Sequence, residues 1–163
     1  MKLVENSLFY ELKNIVKRLL NGILQHTVFQ DKYAYVVTPV FNILQSRVNA
    51  EICSGIIDLI DLNLVNNNFM KNFIKKICTW LIISQNPNGS WNETHFLYNK
   101  PSCVFTAVTG LSLLKVFENI AINRDTTTII KDSLFRAKKY LLSQEIGYGR
   151  FRKSEDYHID ALN

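Results

Sequence analysis

Apolar residues recur at helical spacing along nearly the whole chain, and the breadth of the apolar face changes from one segment to the next. From about Asn6 to Gln25, Leu8, Leu12, Ile15, Leu19 and Ile23 share one stripe, while Glu11, Lys13, Lys17 and Arg18 fall elsewhere. That pattern predicts an amphipathic helix with the leucine-isoleucine stripe turned inward. Between Gln30 and Gln45 two readings stand side by side: a short strand over Tyr33 to Val37, and a helical turn opened by Pro39. From Arg47 to Leu62 the apolar set Ile52, Cys53, Ile56, Ile57, Leu59, Ile60 and Leu62 leaves little of the cylinder polar, so this helix needs neighbours on more than one side.

The alternation then repeats. Asn66 to Asn68 offer N-cap chemistry to a helix with Phe69, Phe73, Ile77 and Trp80 on one face and Lys71, Lys75 and Lys76 on others. Pro101-Ser102 opens a segment with one charge, Lys115, before Phe117, which predicts burial nearly all round. Asp125 to Thr128 introduce another amphipathic helix, with Ile130, Leu134, Ala137 and Leu141 inward, and a last helix is predicted to begin near Ser154. An up-and-down bundle would carry a similar stripe on every helix. Alternating polarity instead predicts concentric packing, with apolar inner helices inside amphipathic outer ones.

Composition narrows the class. With 163 residues, 47% hydrophobic, 20% charged, three Pro and six Gly, the chain reads as a single all-α domain over residues 1–163. Its apolar runs fall far short of the roughly 20 residues needed to span a bilayer, and Met1 to Tyr10 lack the pattern of a secretory signal. We therefore expect a cytoplasmic protein with no membrane span. Cys53, Cys78 and Cys103 are odd in number, widely spaced and set among apolar residues, which speaks for buried thiols over disulfides. The net charge of +5 is scattered in short groups, such as Arg136-Lys138-Lys139, that suit solvated helix faces better than a nucleic-acid track.

An internal repeat is visible in the second half. Residues 76–91 end in Ser84-Gln85-Asn86-Pro87-Asn88-Gly89-Ser90-Trp91, and residues 138–151 end in Ser143-Gln144-Glu145-Ile146-Gly147-Tyr148-Gly149-Arg150-Phe151. Each copy has aliphatic residues, Ser-Gln, a short loop and Gly-x-aromatic. Asn49-Ala50, Thr106-Ala107 and Asp160-Ala161 open apolar segments at comparable spacing, implying three outer-inner helix pairs. Physically the motif is a stiff helix-to-helix joint: Gln for orphan backbone groups, Gly for positive φ, and Trp91 or Phe151 to cover the turn.

These residues resemble the QW repeat of the prenyltransferase and squalene/terpene cyclase superfamily, with Phe151 replacing Trp in a degenerate second copy; the resemblance covers about residues 66–163 well. It implies a partial α/α toroid of about three outer-inner pairs, half of a twelve-helix ring around a cavity. In cyclases that protonate their substrate the acid lies in an Asp-x-Asp-Asp-Thr-Ala string. Aligned on Ala161, Asp156 takes its first Asp, but His158 and Ile159 stand in the next two acidic positions and Asp160 in that of Thr. Asp156, His158 and Asp160 are the catalytic candidates, in a motif that is not intact.

The protein prenyltransferases of the superfamily hold zinc, and Asp156-Tyr157-His158 resembles part of their ligand segment; Cys103 and His158 form the conceivable metal pair. Asp156 and Asp160, one helical turn apart, have a spacing for Mg²⁺ bridging a diphosphate, and equally for carboxylates facing a helix macrodipole with Ser154 as N-cap. Phe105, Phe117 and Tyr157 are the candidate wall of an apolar site. The expected function is binding of an isoprenoid or other apolar ligand, without autonomous catalysis; the alternative is a non-catalytic helical-repeat scaffold for a partner protein. Half a ring leaves apolar surface open, which implies a homodimer or a second polypeptide completing the toroid.

Overall fold

The helix-spaced apolar segments fold as five helices among the residues that the computed structural model describes, 2–39, 42–65, 67–95, 98–121, 124–154 and 157–158. They are α1 (Lys2–Gln25), α2 (Ser46–Asp61), α3 (Asn67–Ile83), α4 (Cys103–Asn119) and α5 (Arg124–Ser143). The fold is mainly α. Short antiparallel strands, which the all-α expectation left out, fill the connections: β1 (Thr27–Phe29), β2 (Ala34–Thr38) and β3 (Ile43–Leu44) after α1; β4 (Trp91–His95) and β5 (Tyr98–Ser102) after α3; β6 (Glu145–Gly147), β7 (Arg150–Ser154) and β8 (Tyr157–His158) after α5. The strand reading of Tyr33 to Val37 corresponds to β2, and Pro39 sits in the turn that follows it.

Each amphipathic helix therefore leads into a small sheet, and the first two sheets lead into an apolar helix. The joint between sheet and helix is the same in both. The fourth residue of α2 is Asn49 and the fourth of α4 is Thr106. Asn49 is fully buried; its Oδ1 accepts from Val36 N at 2.7 Å and its Nδ2 donates to Val36 O at 2.9 Å, so it closes both backbone groups of one β2 residue. Thr106 Oγ1 accepts from Trp91 N at 2.9 Å, the first residue of β4. Buried strand backbone at the end of a two- or three-stranded sheet needs such partners, because water cannot reach it. The sequence echo of Asn49-Ala50 and Thr106-Ala107 is thus a pair of strand anchors.

The apolar helices α2 and α4 lie side by side, α3 packs against α2, and α5 against α4. Ile56, Ile57, Ile74, Ile77, Leu81, Leu113 and Ile130 form the centre of the resulting core. A polar seam crosses the α2–α4 contact: Ser54 and Ser112 share a 2.8 Å hydrogen bond, and Lys115 Nζ reaches Asp58 Oδ1 at 2.6 Å and Ser54 O at 3.2 Å. Ser102 caps α4, its hydroxyl accepting from Phe105 N.

Three sequence expectations are corrected. α1 buries Val16 and Leu20, whereas Leu8, Leu12, Ile15 and Leu19 of the predicted inward stripe are exposed. α4 is not buried all round, since Val104, Leu111 and Leu114 face out. The chain near Ser154 is not a helix start: Ser154 ends β7, and Tyr157 and His158 pair with it as β8.

Asn49→Leu removes the hydrogen bonds to Val36 and strands that residue's buried N–H and C=O. It is expected to cost about 3 kcal/mol, read as a lower midpoint in urea unfolding.

Candidate functional site

The first copy of the repeated motif joins three elements at one side chain. Gln85 lies just beyond α3, and its Nε2 donates to Gly89 O and to Ser133 O of α5, each at 2.9 Å. Its Oε1 accepts from Ser133 Oγ at 2.9 Å and from Arg136 Nη2 at 2.6 Å. The glutamine therefore ties its own loop to the neighbouring helix, and does not serve the orphan carbonyls of α3 as the sequence had implied. Gly89 has φ +92°, and a Cβ there would lie 2.2 Å from Arg136 O, so α5 presses directly on the loop. Trp91 is fully buried, with its Nε1 donating to Leu81 O at 2.8 Å.

The second copy has the same parts in a looser setting. Gln144 is 8% exposed and its Nε2 donates to Ser143 Oγ at 3.1 Å, but its buried Oε1 has no partner among the described residues. At Gly149, φ +72°, an added Cβ would meet nothing within 4 Å among the described residues, where Gly89 meets α5. Phe151 is 36% exposed where Trp91 is covered. Beside it lies a wholly apolar recess of about 260 Å³ lined by Cys103, Val104, Ala107, Leu141 and Phe151.

A larger apolar trough separates α1 from α2. Leu19, Leu20 and Ile23 face Val48, Ile52, Gly55, Ile56 and Leu59 across about 450 Å³, with Glu51 as the charged lining residue. An adjoining space of about 330 Å³ shares Ile23, Val48 and Ile52 and extends to His26 and the β2 residues Val36 to Thr38. The other side of α1 borders a cleft of about 480 Å³ with Leu20, Leu24, Leu64, Val65 and Met70 on its floor and Lys13, Lys17, Asn21 and Asn63 around it. All three volumes fall in the range of small-molecule sites. Sequence reading missed them; the one signal was Gly55, a missing side chain inside an otherwise apolar helix.

Of the residues nominated from sequence, the structure describes the side chains of Phe105, Phe117 and Cys103. Phe105 is buried in the core with the Arg47 guanidinium 5.9 Å from its ring centre, and Phe117 is half-buried under Lys131 Nζ at 5.4 Å. Tyr157 and His158 form β8, while Asp156 and Asp160 lie outside the described residues. Cys103 opens α4, as expected, but faces the apolar recess; burial pushes its thiol pKa up, and a hydrogen bond from Tyr140 partly offsets this. No group of three or more His, Cys, Asp or Glu is placed to hold a metal among the described residues; Asp156 and the His158 side chain, nominated with Cys103, lie outside them.

Cys53 and Cys78 are buried between α2 and α3. Desolvation raises the Cys53 thiol well above 9.0, with nearby Cys78 adding to the effect, and pushes Cys78 up to about 12. No helix among the described residues is long and apolar enough to cross a membrane. No protein-family model matches the chain, and no curated protein sequence is significantly similar to it.

Two measurements check this geometry. Both loop glycines have positive φ, so Gly149→Ala is expected to cost about 1–2 kcal/mol from backbone strain; Gly89→Ala adds the clash with Arg136 O and should cost at least about 2 kcal/mol more. Equal effects in denaturant unfolding would contradict the contact between α5 and the loop. For the thiols, burial favours the neutral form in the folded chain, so the unfolded chain ionises first as pH rises. The stability they contribute is fully present below pH 9 and is lost as pH climbs from there toward about 12. Cys78→Ala should flatten that decline in urea midpoints measured between pH 8 and 11.

Proposed function

We propose that the chain is a helical-repeat domain of the prenyltransferase and terpene-cyclase type whose three helix-sheet units curve as an arc of an α/α ring, and that it binds an isoprenoid or similar apolar chain. The observation that carries this reading is the trough between α1 and α2, about 450 Å³ and almost wholly aliphatic along its length. Transfer of an isoprenoid from water into such a lining is favourable by roughly 25 cal/mol per Å² of apolar area covered. The joint around Gln85 supports the ring geometry, because it fixes α3 and α5 as adjacent members of one layer.

In this reading the domain binds without catalysing a reaction on its own. The acidic string of protonating cyclases is interrupted by His158 and Ile159. Tyr157 and His158 also lie in a strand, whereas that string belongs to the first turn of a helix. The chain's own residues supply shape and exclusion of water: α1 forms one wall, α2 the other, and Gly55 leaves the width between them.

Farnesol or geranylgeraniol at a large excess over its Kd is expected to raise the thermal midpoint by several degrees. Gly55→Phe fills the trough from a position where an added Cβ meets nothing within 4 Å. It should leave the unliganded midpoint equal or higher and remove the ligand shift; an undiminished shift places the ligand elsewhere, and no shift in the parent protein rejects the reading.

A further inference from the structure

One face of α1 changes character along its length. Lys13, Lys17, Leu20 and Leu24 follow one another on successive turns and line the cleft of about 480 Å³ between α1 and the connection from α2 to α3. Leu64 and Met70 continue the apolar floor from the other side, and they are buried together with Leu20. The cleft therefore has an axis, cationic toward Lys13 and aliphatic toward Leu24, which lies roughly 16 Å farther along the helix.

The charge at the cationic end is unopposed. No Asp or Glu lines the cleft among the described residues. Lys13 Nζ stands 5.8 Å from the centre of the Phe9 ring, and Lys17 has no ion pair or hydrogen bond with the described residues. Lysines elsewhere on the molecule are engaged: Lys115 holds Asp58, and Lys76 donates to the carbonyls of Gln30 and Asp31. Two cations one helical turn apart repel each other, and an anion seated between them relieves that repulsion. An inorganic anion would leave the aliphatic floor wet, and a neutral hydrocarbon would leave the charge unmet. The complement of the cleft carries both features in one molecule, in the order that α1 presents them.

We propose that this cleft binds a single-chain lipid with an anionic head, the head between Lys13 and Lys17 and the chain over Leu20, Leu24, Leu64 and Met70. The volume is on the scale of one alkyl chain and too small for the two of a diacyl lipid. The site lies across α1 from the trough that Leu19 and Ile23 line, and it does not rest on the isoprenoid reading.

Calorimetric titration of the full chain with dodecanoate and with dodecyl phosphate, each below its micellar concentration, tests this. Binding at a single site is expected, with dodecanol weaker by about tenfold or more and dodecyltrimethylammonium weaker still. The Lys13→Gln/Lys17→Gln protein should lose about tenfold or more in affinity and keep its unliganded thermal midpoint. Arg18→Gln removes a cation of α1 that lies outside the cleft and should leave the affinity unchanged. Tighter binding of dodecanoate identifies a fatty acid and tighter binding of dodecyl phosphate a phosphate-headed lipid, and either supports the site. Binding of neither anion overturns the proposal, as does dodecanol binding as tightly as the anions, or full affinity in the double lysine variant. Gly55→Phe should bind the anions as the parent does; loss of binding there places the chain in the trough and overturns the cleft assignment while leaving the isoprenoid reading untouched.

Discussion

A single amide side chain holds the second half of this molecule in register. Gln85 has both ends occupied, one by carbonyls of its own loop and of α5, the other by a hydroxyl and a guanidinium of α5. Three of these bonds are half-buried and the one from Arg136 lies at the surface, while the Trp91 indole of the same motif is fully buried. The direction of α5 relative to α3 follows from them. So does the position of α4, because Trp91 leaves that loop to start the strand that Thr106 anchors.

The contrast between the two joints gives the fold a polarity. Both ends of the Gln85 amide have protein partners and Trp91 is covered; the Gln144 amide oxygen has no partner among the described residues and Phe151 is partly exposed. Exposed apolar side chains occur on α1 (Leu8, Leu12, Ile15, Leu19), on α4 (Val104, Leu111, Leu114) and on α5 and the segment after it (Ile129, Phe135, Leu142, Ile146, Phe151).

Much of this was legible in the sequence and some was not, for identifiable reasons. The helices were visible because their apolar periods are long and their boundaries carry Ser102, the Asn66–Asn68 run and Asp125. The joint was visible because Gln, Gly and an aromatic recur at nearly fixed offsets. The wrong face of α1 was chosen because Leu8, Leu12, Ile15 and Leu19 sit beside a second apolar set, Val16 and Leu20, and periodicity alone does not rank adjacent stripes. The sheets were hidden by brevity and composition: β5 reads Tyr-Asn-Lys-Pro-Ser, without alternation, and is held by pairing with β4 and not by its own propensity.

Asn49 reaches Val36 across 13 positions, and Thr106 reaches Trp91 across 15. Each helix-sheet unit therefore closes on itself over a short length of chain, before contacts with the next unit are required. Short closures carry little entropic cost and form early. A gene encoding such a unit can be duplicated in tandem with each copy arriving already able to nucleate, which makes growth by whole units the natural evolutionary route for this architecture.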